Sequence, residues 1–257
     1  MKIDFLKIPL FVSLCAFFFF EDANAEPPYG GTIFYFPEAI TSKDPSTFLD
    51  MKYEGQKQRE MFDRRRNSWI KNSAYIFNAI FSDGSNIEVQ VNSEFLSSEN
   101  AFNYAEKYSK VIGQLPNILR KDVRTVWIHK GNKDWGGGNE NFLIHTGRTK
   151  EYNRKNIIEE VFIHEGAHTS LDWDWGGVID EKQWRKAKRQ DKKHISKYAK
   201  KFDGEDVAES ILPWIAVRYR LDRISNKDAE IVLKTIPNRL KFFDEQNFDM
   251  KPLVPWE

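Results

Sequence analysis

The chain has 257 residues, 39 basic and 38 acidic, with 40% hydrophobic residues and a net charge of +1. A chain of this length buries a full core without staples, and so even a balance gives no reason to expect nucleic acid or an anionic membrane surface as a partner. The single cysteine, Cys15, lies in the leader described next. The rest of the chain therefore has no disulfide framework and no thiolate metal ligand.

Residues 1–25 read as a signal peptide. Lys2 and Lys7 flank the start of an apolar run from residue 8 to 20, and Ala23-Asn24-Ala25 is a small-x-small cleavage site. The run is too short to favour a membrane span. The expectation is an exported chain beginning at Glu26, periplasmic or extracellular, with no stable membrane insertion after cleavage. Residues 26–31 form a Pro/Gly-rich lead-in, and 32–36 a short strand. A helix is expected around 56–66. Residues 74–81 and 87–91 flank Ser82-Asp83-Gly84-Ser85-Asn86, a strong hairpin signal. Ser98 starts a helix towards Arg120, broken near Gly113 and Pro116. Residues 123–129 and 141–146 read as strands, with the turn-rich stretch 131–138 between them. A motif helix begins at 157, a loop covers 172–178, and helices follow over 180–194, 205–223 and 227–243. Mixed elements first and helices last predict an α+β fold. Residues 26–122 are expected to be an N-terminal α+β region packed on a core of residues 123–257.

Residues 164–168 read His-Glu-Gly-Ala-His, which fits H-E-x-x-H. Histidines at i and i+4 share one helix face, so both imidazoles can reach one metal ion. Glu165, next to the first histidine, can approach a metal-bound water as a general base. The bland alternative is a helix whose histidines are merely packed. A catalytic zinc site usually takes three protein ligands and keeps one position open. Asp174 lies six residues after His168, where a metzincin places a ligand, but Leu171 stands where that family needs glycine. Asp172, four residues after His168, requires the chain to leave the helix at once. Glu205 and Glu209 lie one turn apart at the start of a predicted helix. One can bind metal while the other holds a ligand histidine, or both can be ordinary N-terminal helix acids.

His164-Glu165-x-x-His168 followed by Glu205-Asp206-x-Ala208-Glu209 resembles the gluzincin metallopeptidases. With Tyr198 seven residues before Glu205 it is most similar to their lethal-factor type. The resemblance covers residues 157–220, roughly a quarter of the chain. It implies a zincin-like catalytic core: a small mixed sheet, an active-site helix and a helical C-terminal half. It implies one Zn2+ per chain on His164, His168 and Glu205, with Glu165 as general base and Tyr198 polarising the scissile carbonyl. Glu209 would brace a ligand histidine, and Asp172 can cap or orient one too. The strand before the motif helix, with Phe142, Leu143 and Ile144, is expected to be the edge on which an extended peptide pairs. One departure is Gly166 inside the motif helix, where glycine costs about 1 kcal/mol relative to alanine; it can make room for a closely packed backbone.

Other candidates have plainer readings. Trp135-Gly136-Gly137-Gly138 is either a lid or a hairpin connection. Trp173 and Trp175 wall the cleft or simply pack. His194 reads as solvated, His129 and His145 as structural, and the basic runs as solvated helix faces. The expected function is a secreted zinc-dependent peptidase acting on a peptide or protein. The alternatives are a zinc amidase acting on cell-wall peptides, a toxin or effector, and a non-enzymatic secreted binding protein with a zincin fold. Glu165 argues against the last, since a pure binding site needs no general base.

Overall fold

Valine, isoleucine and aromatic residues crowd residues 69–91, and these make two adjacent strands of a mixed six-stranded sheet. The computed structural model describes residues 26–254; the expected signal peptide, its cleavage site and Cys15 lie outside the described residues. The strands are β1 (Phe48–Asp63), β2 (Ser68–Phe81), β3 (Asn86–Val91), β4 (Thr125–His129), β5 (Gly136–Gly138) and β6 (Asn141–His145). Their order across the sheet is β1-β2-β3-β4-β6-β5. The β1/β2, β2/β3 and β5/β6 pairs are antiparallel, and β3/β4 and β4/β6 are parallel. The helices are α1 (Ser98–Ile112), α2 (Asn117–Arg120), α3 (Thr146–Lys155), α4 (Ile158–Ser170), α5 (Glu181–Asp191), α6 (Lys197–Lys201), α7 (Asp206–Tyr219), α8 (Asn226–Thr235) and α9 (Pro237–Asp244). The expected α+β class holds. Among the described residues no helix is long and apolar enough to cross a membrane.

Several expectations need correction. The helix expected at 56–66 is the second half of β1. Lysine, glutamine, arginine and glutamate favour helix in isolation, but here one face, residues 57, 59, 61 and 63, turns inward. Met61 is fully buried, and Arg59 bonds Glu88 of β3. The charges suit an outer strand, where they discourage pairing with another chain. Gly55, at φ +87°, sits in the register shift between Tyr53 and Gln56, a bulge that glycine tolerates. Residues 32–36 are turns and not a strand; Tyr35 N–H donates to Thr32 O. The helix expected over 227–243 is two, because Pro237 starts a new one. Helix α3 was not expected, since its ten residues bury only Thr149.

The division at residue 122 does not separate two bodies. Strand β3 lies before it and β4 after it, yet the two pair directly. One hydrophobic cluster runs from Tyr29 through Phe77 and Phe162 to Leu253. Nor is β6 an edge. It is buried along its whole length between β4 and β5, and Phe142 and Leu143 pair with Gly137 and Gly136. Only three glycines of β5 separate it from the border of the sheet, and a three-residue glycine run carries no strand signal of its own.

Helix α4 is central, packed against α7, β5 and α2. Gly166 explains itself there: a Cβ would lie 2.7 Å from the Leu119 carbonyl oxygen of α2. The same helix buries Glu160 completely, and neither carboxylate oxygen has a hydrogen-bond partner among the described residues. Burial first, then repulsion from Glu159 and Glu38, pushes its carboxyl up from 4.5 to about 9. A carboxyl that folding keeps protonated holds more protons folded than unfolded, so stability falls as pH rises from 4.5 to about 9. Glu160→Gln is therefore expected to melt several degrees higher than the wild type near pH 8 and with it near pH 4. Parallel pH profiles for the two chains in thermal unfolding would contradict this.

Candidate metal centre and its cleft

The helical period places His164 and His168 one turn apart on the α4 face turned towards the start of α7, with ring centroids 5.0 Å apart. A short 3₁₀ turn, Asp203–Glu205, delivers the third group. Glu205 Oε2 lies 3.1 Å from His164 Nε2 and 3.1 Å from His168 Nε2. One ligand atom from each of the three falls within 4.8 Å of the others. The remaining ring nitrogens face buried carboxylates. His168 Nδ1 lies 3.3 Å from Asp172 Oδ2. His164 Nδ1 lies 3.6 Å from Glu209 Oε1, an ion-pair distance longer than a hydrogen bond. Glu209 is itself held by the Thr32 N–H, which donates to Oε2 at 2.8 Å. Such backing fixes ring orientation.

Of the candidates for a third group, one lies with the histidines. Glu205 converges with the histidines; Glu209 and Asp172 stand behind them; Asp174 is exposed and outside the cluster, its N–H spent on Asp172 Oδ1. Two imidazole nitrogens and a carboxylate oxygen packed this closely call for positive charge among them. Burial disfavours charge on His168, but Asp172 and Glu205 outweigh it and lift the ring to about 10. Burial would raise Glu205, yet the two histidines hold it well below the usual carboxylate range. A divalent cation satisfies the same atoms, and a set of imidazoles with a carboxylate suits one. His164, His168 and Glu205 could therefore hold a metal ion.

These groups open onto a cleft of about 680 Å³ that Glu165 and Tyr198 also line. Tyr198 is 40% exposed. Its helix is anchored by residues 29 and 30, whose carbonyls accept the Lys197 and Tyr198 N–H groups at 2.8 and 3.0 Å. Burial and the adjacent Glu205 carboxylate push the phenol up to about 12, so Tyr198 keeps its proton. The other cleft wall is β5. A Cβ on Gly137 would lie 2.7 Å from the Glu165 carbonyl carbon, so only glycine lets this strand lie on α4. Thr169 ties the two together, its Oγ1 donating to Glu165 O and accepting the Gly138 N–H, each at 2.9 Å.

Of the two readings of Trp135-Gly136-Gly137-Gly138, lid or hairpin connection, the structure has the hairpin. Residues 135–138 are a hairpin arm, and Trp135 is buried, donating from Nε1 to His145 O at 3.1 Å. Trp175 does line the cleft, half exposed, whereas Trp173 packs against the core. His129 and His145 are buried and stacked 5.3 Å apart, away from the cleft, which fits a structural role. His194 lies 3.7 Å from Asp206 and outside the cleft.

Sequence reading missed six contributors: Gly30, Gly31, Thr32, Phe34, Arg64 and Tyr152. None has a motif. The signal for β5 was present in the glycine run, which only close backbone approach explains. No protein-family model, curated protein or solved structure matches this chain.

Proposed function

We propose that this protein is an exported zinc-dependent peptidase with a zincin-like core. The observation that supports the reading is the convergence of His164 Nε2, His168 Nε2 and Glu205 Oε2, each ring backed by a second carboxylate. Two histidines and one carboxylate leave an open position of the kind a catalytic zinc uses. A zinc ion held there supplies Lewis acidity, making a water acidic near neutrality and polarising a carbonyl. Export rests on the leader-like residues 1–25.

The roles of the side chains follow from position. Glu165 lines the cleft one residue from His164; it takes a proton from the attacking water and returns it to the departing amine. Tyr198, protonated, donates to the oxygen of the carbonyl under attack, where charge develops. Glu209 and Asp172 keep the imidazoles turned with Nε2 inward. The outer edge of β5, in place of β6, offers main-chain groups to an extended peptide, which gives affinity with little sequence demand.

The test is a peptide library incubated with the chain from Glu26 onward. New amino termini should appear with the wild type and not with Glu165→Gln. A wild type that leaves peptides intact but hydrolyses simple or cell-wall amides would replace this reading with the amidase one.

A further inference from the structure

We propose that Arg64 makes this cleft select a substrate carboxylate close to the scissile bond, a reading that rests on the peptidase assignment. Arg64 sits at the tip of the β1–β2 hairpin, in the turn between Asp63 and Ser68, and reaches across to the start of β5. Among the described residues it is the only lysine or arginine that lines the cleft. The carboxylates there belong to the metal centre and to Glu165, except Asp134 at the rim, which Arg148 already pairs at 2.8 Å.

The neighbouring cations are neutralised and Arg64 is not. Arg65 pairs with Asp63 and Glu94, both at 2.8 Å, and Arg148 with Asp134 and Glu151. Arg64 has no carboxylate within ion-pair distance among the described residues; its Nη1 donates to two main-chain carbonyls, Asp134 O at 3.0 Å and Trp135 O at 2.5 Å. Those bonds fix the guanidinium in place. They leave Nε and Nη2, the fork that matches a carboxylate with two parallel hydrogen bonds, without a hydrogen-bond partner among the described residues.

Its position along the strand gives the subsite. A Cβ on Gly136 would lie 3.0 Å from Arg64 Cζ, so the side chain rests on the backbone of β5 at that residue. Gly137 lies against Glu165, and a Cβ on Gly138 would lie 2.9 Å from the Trp175 indole. Strand residues advance about 3.4 Å each. Arg64 at residue 136 and the Glu165 main chain at residue 137 thus lie on opposite faces of β5, one residue apart, with Trp175 at the next residue. An extended peptide on this edge carries one side chain, or its own chain end, to Arg64 within a residue or two of the bond attacked. A carboxylate there meets a fixed, unpaired cation; a lysine meets repulsion.

The experiment compares peptides identical except for one position scanned across the cleavage site, bearing Glu, Gln or Lys, each with a free or an amidated C-terminus. The ratio of kcat/KM for Glu over Gln at the preferred position should be about tenfold to a hundredfold in the wild type, as for a hydrogen bond to a charged group, and close to one in Arg64→Gln. If the free C-terminus and not Glu carries the preference, the carboxylate recognised is the chain end. An equal loss on all peptides in Arg64→Gln, or an unchanged ratio, would make Arg64 only a brace for β5 and overturn the proposal. Binding of the same peptides to Glu165→Gln and to Glu165→Gln/Arg64→Gln, read from tryptophan fluorescence, tests the subsite without turnover. Carboxylate-dependent binding that Arg64→Gln abolishes upholds the subsite even where hydrolysis fails. Binding indifferent to the carboxylate overturns it.

Discussion

Glu165→Gln is expected to bind metal like the wild type and to hydrolyse peptides about 10²- to 10⁴-fold more slowly, the usual contribution of a positioned general base. The amide has the shape of the carboxylate but cannot take a proton. Glu165 is not one of the converging ligands, and its main chain is held by Thr169 Oγ1 and by the apposed Gly137. The substitution therefore leaves the ligand geometry and the α4–β5 contact intact. Steady-state kinetics beside metal content on the same preparations checks both halves. Turnover retained within a few-fold would remove Glu165 from the mechanism; loss of metal together with activity would make it a structural neighbour of the site.

Arg239→Ala is expected to cost about 3–5 kcal/mol of stability, the usual effect of breaking a buried ion pair from one side. Arg239 is fully buried in α9. Its Nη1 lies 3.3 Å from Asp191 Oδ2 and donates to Lys193 O at 3.0 Å. Its Nε lies 3.0 Å from Asp206 Oδ2 in an ion pair not aligned as a hydrogen bond, while Trp184 Nε1 donates to the same oxygen at 3.0 Å. Removing the guanidinium takes the nearest cation from two buried carboxylates, leaving Asp191 the Asn238 and residue-239 main-chain donors and Asp206 the Trp184 N–H with Lys188 and His194 at 3.9 and 3.7 Å. Asp206 follows Glu205 directly, so this network also pins the turn that carries Glu205. Urea unfolding with the m-value unchanged gives the loss. A change under 1 kcal/mol would show that the carboxylates find other partners or take up protons at little cost.

The part of the site that rests on helical spacing was legible in the sequence. His164, Glu165 and His168 needed only a helix, and the apolar run before them specified one. Glu205 and Glu209 were candidates from their one-turn spacing, and Tyr198 and the division of roles came from the order and spacing of a family motif; the structure brings Glu205 to the histidines and Glu209 behind them. What was not legible depends on which strand lies beside which. Strand β1 reads as helix because its neighbour, not its composition, makes it a strand. Strand β5 has no side chains from which to read a period. Arg64 lies 100 residues before His164 in the chain and reaches the cleft only because a long hairpin curls its tip back to β5. Thr32 acts through its main-chain N–H alone, which leaves no mark on residue type.

The most direct test is the metal content of the purified chain, wild type beside Glu205→Ala. The account predicts about one zinc per wild-type chain and little or none in the variant, because the variant loses one of three ligands. Zinc retained in Glu205→Ala, or none in the wild type after zinc is added back, would contradict it.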